Sequence, residues 1–415
     1  GGSKGFLQEQ SSTGGTKKSF TYSSRLYVWV LRSMDKRVIY YSAVSTLEML
    51  GWGLYLTFIV RYVSVTLGGG SSSLLVFLGS NWGFTLFSIL IGGFLRVLGE
   101  KKTLLLGTLC SLPPLVILFT ENPYVIAFVS SVSAFPWGIM WSIVLKDIFA
   151  GSERTAGVRY SVFTAGRGVG FFLGSILTGL IYSVGGVEGV VVAMSAVLLA
   201  SSLGYYILYH EGGSTSGKRA SDLSYVVSKL WIFYTSLVFV VFARELFYSI
   251  APPKLDSDIN MLVQGLPEWA AYSVFGLVYS GGAVISPLAR YIAGKLVDKH
   301  GPRQVYVSTA LAYIAVYWVF VKTTGLIPLL VWQIPLFPFL DTGMNVYIAK
   351  RLNHDQIPLG VAAGLSFTAF GGLMVILMLI PGELSYELGG IAISAACLTA
   401  VILALMDRSY SEDKG

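Results

Sequence analysis

Along this chain apolar residues gather in stretches of about 20, each long enough for one helical crossing of a hydrocarbon slab about 30 Å thick. Read with a window of about 19 residues, six runs fall at 38–62, 73–96, 102–120, 123–147, 158–183 and 187–209. A polar stretch rich in Gly and Ser follows, and six more runs lie at 230–252, 268–293, 304–322, 325–348, 359–381 and 388–406. The pattern predicts an all-α membrane protein of twelve transmembrane helices. It divides the chain into a polar tail at 1–24, expected to be disordered, a first unit at 25–209, a linker at 210–222, a second unit at 223–409 and a short tail at 410–415. The connection at 252–268, with Pro252, Pro253 and Asp256, is the least defined by the pattern.

Composition narrows the class. The 415 residues are 54% hydrophobic and 12% charged, against roughly 25% charged in an ordinary soluble chain. So few ionic side chains cannot coat a globular surface, which excludes a soluble enzyme and leaves no room for an extramembrane domain. The tail at 1–24 has no apolar stretch of a signal peptide. Cys110 and Cys397 each sit inside an apolar run, far apart, and read as small core residues, with no disulfide framework and no metal ligand set.

The net charge of +7 does not point to nucleic acid, because the bases are not gathered on one solvent face. Their placement is a topology signal. All but six of the 29 Lys and Arg fall on the side that holds the N-terminal tail. The opposite side has Arg61, Lys254 and Lys322, and Arg167, Arg244 and Arg290 lie within spans. Short loops rich in Lys and Arg stay cytoplasmic, so both termini are expected inside, in a multi-pass protein of the cell membrane. His210, His300 and His354 all fall in loops of that side.

The two units repeat each other. Gly92-x6-Gly99 recurs as Gly294-x6-Gly301 and Phe135-Pro136 as Phe337-Pro338, both displaced by 202 positions, and Phe163-Thr164-Ala165 recurs as Phe367-Thr368-Ala369, displaced by 204. Three echoes in order at a nearly constant offset argue for duplication of a six-helix unit. Parallel repeats of that size build transporters whose substrate site lies near the midplane between the halves.

The turn after the eighth span reads Gly294-Lys-Leu-Val-Asp298-Lys299-His-Gly301-Pro-Arg303. It resembles the loop signature of the major facilitator superfamily: Gly, three residues, an acid, a base, any residue, Gly, any residue, a base. Its first-half copy keeps Gly92, Gly99, Lys101 and Lys102 but has Arg96 where the acid belongs. The resemblance spans 25–409 and implies two pseudo-symmetric six-helix bundles that rock about a central cavity, with the acid of the motif latching the cytoplasmic side. Independently of any family, Gly301 permits a tight turn and Asp298 ends a helix beside bases able to bond it. The plainer alternative is that these charges mark the membrane boundary. Gly166, Gly170 and Gly174, at spacing four, let a partner helix approach closely. The Gly-Pro pair of the family's drug antiporters is missing from the fifth span, which has no proline between Arg154 and Ser201.

Ionisable groups inside a membrane are costly and are functional hypotheses by default. Here they are Glu48, Arg167, Arg244, Glu245 and Asp341, with Arg290 nearer a helix end and expected to snorkel. Tyr41, Ser45, Glu48, Trp52 and Tyr55 share one helical face, as do Gln333, Phe337, Asp341 and Asn345, while Asn81, Thr85 and Ser88 lie on the second span. Aligning Ser24 with Ser221 sets Glu48 opposite Glu245. Proton coupling is expected of Glu48 first, then Glu245 and Asp341. Substrate contacts are expected of Arg244, Arg167, Trp52, Tyr55, Tyr248, Gln333, Asn345 and Asn81. Arg244 has a second reading as a structural partner of Glu245 or Glu48, and Trp137 and Trp141 are read as packing.

No phosphate-binding Gly-x4-Gly-Lys-Ser/Thr loop is present, so an ion gradient, with protons first, is the implied energy source. The leading reading is a secondary transporter of a small polar solute, a sugar, amino acid or organic anion, working as a monomer in the lipid bilayer without a cofactor. A proton-driven exporter of amphipathic drugs is the alternative. A membrane-embedded enzyme finds no paired His motif or dense acidic cluster to support it, and a receptor on the same scaffold is separated from a transporter by an uptake measurement.

Overall fold

The computed structural model describes residues 36–95, 98–149, 163–164, 166–209, 220–353, 356–382 and 384–407. The polar tails, most of the linker, Arg96, Ala165, His210 and His354 lie outside these residues. The described chain is helical throughout. The spans are α1 (Lys36–Thr66), α2 (Gly70–Gly92), α3 (Glu100–Leu118), α4 (Pro123–Leu145), then a long run Arg167–Leu208, and α7 (Leu223–Leu262), α8 (Glu268–His300), α9 (Pro302–Lys322), α10 (Leu326–Arg351), α11 (Leu359–Leu379) and α12 (Tyr386–Met406).

The long run of 42 residues is two helices joined at a turn. Gly186 has φ 59° and ψ −153°, a region open only to glycine. A Cβ on Gly53 would overlap the Phe171 carbonyl, and one on Gly51 would meet Val197 and Leu198. Positions 171 and 198 stand nearly the same distance from 186 yet pack on the same stretch of α1, so the chain has doubled back. The arms, 167–185 and 187–208, are α5 and α6, and the spans number twelve. Glycine spacing explains how closely α5 lies on α1: any side chain at Gly166, Gly170 or Gly174 would strike the Thr46 hydroxyl, the Thr46 carbonyl or the Leu50 carbonyl.

The least defined boundary resolves as helix. The helix that contains α7 runs from Ala220 to Leu262 with Pro252 and Pro253 inside it. Its last turns are more than a polar loop: Leu255 and Ile259 are buried, along with Lys254, Asp256 and Asp258. The apolar pattern stops near 252 because these buried polar groups are paired, Lys254 with Asp258 and Asp256 with Arg61, and a hydropathy window sees only their polarity.

We term the side where α1 begins and α12 ends the near face, and its opposite the far face. Two antiparallel helix pairs join the halves. Along α5 and α8, Gly179 abuts Trp269 and Ser273, Gly276 abuts Ser175, and Gly168 abuts Ala283. Along α2 and α11, Gly79 abuts Ile376, Gly83 abuts Leu373, and Gly372 abuts Trp82. Both series run from the far face to about mid-span. Tyr272, Phe275 and Ser280 in the far half of α8 are buried, whereas its near half buries only the strip Ala289, Ala293 and Val297 and exposes Leu288, Arg290 and Tyr291. Among the described residues α4 and α10 do not pack extensively on each other. The halves therefore meet at the far face and part toward the near face.

Candidate functional site

Glu48, buried midway along the helix Lys36–Arg61 of α1, is the centre of the first cluster. Its Oε1 accepts from Trp137 Nε1 of α4 at 2.5 Å, and its Oε2 accepts from Tyr205 OH of α6 at 2.6 Å and from Arg167 of α5 at 3.1 Å. Four helices of one bundle thus converge on a single carboxylate. The Arg167 guanidinium also donates to Ser45 Oγ at 2.8 Å and lies 4.4 Å from the Trp141 ring. The side chain of Arg167 is 19% exposed while that of Glu48 is 1% exposed, so within this pair the base is the member within reach of a solute.

This corrects several expectations. Trp52 and Tyr55 were expected to contact substrate, but Tyr41, Ser45, Glu48, Trp52 and Tyr55 are all buried and point into the first bundle. Tyr55 OH donates to the Ser130 carbonyl at 2.5 Å, and Trp52 packs edge-on against Tyr55 and Trp137, with its indole N–H buried and without a hydrogen-bond partner among the described residues. Trp137 is more than packing, since its indole N–H bonds Glu48. Tyr205 was missed altogether, because a tyrosine on an apolar helix carries no signal in one dimension.

In the second half the pairing is different. Arg244 turns to its neighbour, with NH2 at 2.6 Å from Glu245 Oε1 and both side chains buried; it does not pair with Glu48. Its guanidinium lies 5.2 Å from the Phe337 ring of α10 and 5.7 Å from Trp82 of α2, so it stands between the halves. The base that meets Glu48 comes from α5, whereas the base that meets Glu245 is the adjacent residue.

Arg290 was expected to snorkel. Instead Arg290 NH1 donates to Asp341 Oδ2 at 2.5 Å, with the side chains 47% and 23% exposed. Asn345 Nδ2 donates to Asp341 Oδ1 at 3.0 Å. The pair joins α8 to α10, a relation no single-helix pattern displays. Toward the far face, Trp332 bonds the Tyr279 carbonyl at 3.0 Å and stacks on the Tyr279 ring, and Tyr248 meets it edge-on. Gln333 donates to the Val278 carbonyl at 2.8 Å, and its Oε1 is buried with no partner. Asn81 is half-buried next to Trp82, and no hydrogen bond of its amide is present among the described residues. Among those residues no three His, Cys, Asp or Glu cluster to hold a metal ion.

The motif turns match each other. Gly99 has φ 101° and ψ 126°, and Gly301 has φ 87° and ψ 152°, so each glycine makes the same left-handed turn that the repeat requires. Gly92 and Gly294 have open space where a side chain would go. Asp298 and Lys299 are exposed. Arg303 reaches the Leu405 carbonyl and Lys101 lies 5.5 Å from the Tyr206 ring, both contacts within their own halves.

Two related six-helix halves, joined along two helix pairs and carrying paired charges at mid-span, define a membrane transporter architecture. The chain belongs to the Major Facilitator Superfamily, whose sequence profile matches residues 41–377. Among solved structures it resembles a mutant of the nucleoside transporter NupG, with TM-score 0.68 and 15% identity over 89% of this chain and 98% of that one. It also resembles the nucleoside transporter NupG itself, with TM-score 0.64 and 13% identity over 91% of this chain and 100% of that one. At such identity the likeness is one of fold. No curated protein matches in sequence.

Proposed function

We propose that this chain is a secondary transporter, with no enzymatic role, for a small polar solute that carries no net charge, coupled to protons through Glu48. The observation that carries the charge assignment is that each mid-span base already has an acid: Arg167 with Glu48, Arg244 with Glu245 and Arg290 with Asp341. A charged solute entering this region would meet no unmatched counter-charge and would lose its hydration uncompensated. Each base also lies against an aromatic ring, and Trp82, Trp332 and Tyr279 add further ring faces. Flat, neutral, hydrogen-bonding solutes suit such walls, and a nucleoside, the class named for the structural neighbours, is the first to test. Of the sugar, amino acid and organic anion classes, an anion is the least favoured.

With the Lys- and Arg-rich near face in the cytoplasm, the conformation described is open inward, and both termini belong to the cytoplasmic side of the cell membrane. Labelling of Lys218→Cys from outside intact cells would contradict this orientation.

Uptake into proteoliposomes tests the proposal. An inward proton gradient should drive accumulation of a labelled neutral nucleoside, unlabelled nucleoside should compete, and its 5′-monophosphate should not. Equal competition by the monophosphate overturns the neutral-solute reading. The density of rings is also what an exporter of amphipathic drugs would present; proton-driven extrusion of a hydrophobic dye with no nucleoside uptake would select that reading.

A further inference from the structure

Arg61 lies toward the far end of α1, and Asp256 lies on the extension of α7 past Pro252 and Pro253, so the two belong to opposite halves. Arg61 Nε donates to Asp256 Oδ1 at 2.7 Å, and each side chain is only 7% exposed. The second oxygen of Asp256 accepts from Asn260 Nδ2 at 3.0 Å. The guanidinium also lies 4.4 Å from the ring of Tyr272 on α8. Tyr272 is held from the first half in turn, its hydroxyl 3.0 Å from Thr66 Oγ1 and its ring stacked on Phe58.

Of the other charges of this region, Glu268 of α8 lies within electrostatic reach of Tyr272 and Tyr182, and Lys254 and Asp258 pair with each other. Lys254 bonds Asp258 at 3.0 Å and the Thr323 carbonyl at 2.9 Å, and Asp258 also accepts from the Gly325 amide at 2.9 Å. These bonds tie α7 to the turn between α9 and α10 inside the second half. The NH1 atom of Arg61 is buried with no hydrogen-bond partner, so the closed far face leaves part of the guanidinium unhydrated.

We propose that Arg61, Asp256 and Tyr272 form a clasp that holds the far face shut and sets which face of the protein is open at rest. Opening the far face separates the halves at this point, and water then hydrates both charges. Removing one charge leaves the other buried and uncompensated in the closed form alone, which is a large penalty, so a one-sided neutral variant shifts the population toward the far-open form. At the near face Asp298 is exposed with no ion pair among the described residues, and the contacts of Arg303 with the Leu405 carbonyl and of Lys101 with the Tyr206 ring lie within their own halves. The clasp is separate from the mid-span clusters, and its test does not depend on the solute or the coupling ion.

Spin labels at Glu121→Cys and Val263→Cys, exposed far-face sites of the two halves, report the separation in purified full-length protein; Cys110 and Cys397 are buried. Asp256→Asn should raise the long-distance population roughly tenfold or more, and Tyr272→Leu should shift it the same way to a smaller extent. The exchange Arg61→Asp with Asp256→Arg should return the distribution toward the parent. A folded Asp256→Asn protein with the parent distribution overturns the proposal. Should Asp256→Asn fail to fold, Tyr272→Leu carries the test, and an unshifted distribution there overturns it equally.

Discussion

Arg167 sits 3.1 Å from the Glu48 carboxylate on one side and 4.4 Å from the Trp141 ring on the other. The base bridges a fully buried acid and a half-buried indole. Anything that draws the guanidinium toward the cavity removes one of three donors from Glu48 and leaves Trp137 and Tyr205 in place. An acid so placed can exchange a cation contact for a proton without losing its other bonds.

Glu48→Gln imitates the protonated acid. It should abolish pH-driven accumulation while counterflow exchange of the same solute continues, and both are measured in the same proteoliposomes. A variant that still concentrates solute under a pH gradient as the parent does shows that Glu48 is not the coupling acid.

Tyr205→Phe removes a single donor at 2.6 Å from a charged acceptor. Such a bond is worth about 1.5–3 kcal/mol, so the variant should lower the thermal unfolding midpoint and reduce pH-driven accumulation. Thermal unfolding in detergent and uptake into proteoliposomes check this, and parent behaviour in both removes Tyr205 from the coupling cluster.

Asp298→Asn should raise the near-open population. In the conformation described Asp298 is exposed, so the substitution costs nothing there; only a closed near face, in which the acid would meet a base, loses a charge-assisted bond of about 1.5–3 kcal/mol. Spin labels at Lys102→Cys and Lys295→Cys read the change as a longer mean distance, whereas an identical distribution argues that the charge only marks the membrane boundary.

Gly186→Ala should destabilise the protein by about 1–3 kcal/mol, because no Cβ is tolerated at this φ and ψ. Gly185→Ala, where the space is open, is the control. Thermal unfolding in detergent should lower the midpoint for the first and leave the second near the parent.

Gly174→Ala should also destabilise, by about 1–3 kcal/mol through overpacking, since the added methyl strikes the Leu50 carbonyl of α1. Gly294→Ala, in open space, should leave the unfolding midpoint unchanged. Equal midpoints for all three proteins would mean that α1 and α5 can separate without cost.

Much of the architecture was present in one dimension. Runs of about 20 apolar residues can only be satisfied across a bilayer, where the backbone must bond to itself, so the helices and their number follow from hydropathy alone. The repeat was legible as echoes at a nearly constant offset, and the turn glycines Gly99 and Gly301 were legible because their backbone conformation admits little else. Glu48, Glu245 and Asp341 stood out because charge in an apolar run is conspicuous by type.

What the sequence could not determine is which group meets which. Arg167 pairs with Glu48 although they are 119 positions apart, Arg290 pairs with Asp341 across two helices, and Arg61 finds Asp256 in the other half. Hydropathy depends on one residue at a time, whereas an ion pair depends on the rotation and crossing of two helices, and those are decided by how side chains interlock, as Gly170 and Gly174 do on α1. The apolar pattern determined that buried charges exist in this chain; only the packing of the twelve helices decided that each mid-span base would be matched by an acid, and which face of the molecule would be closed.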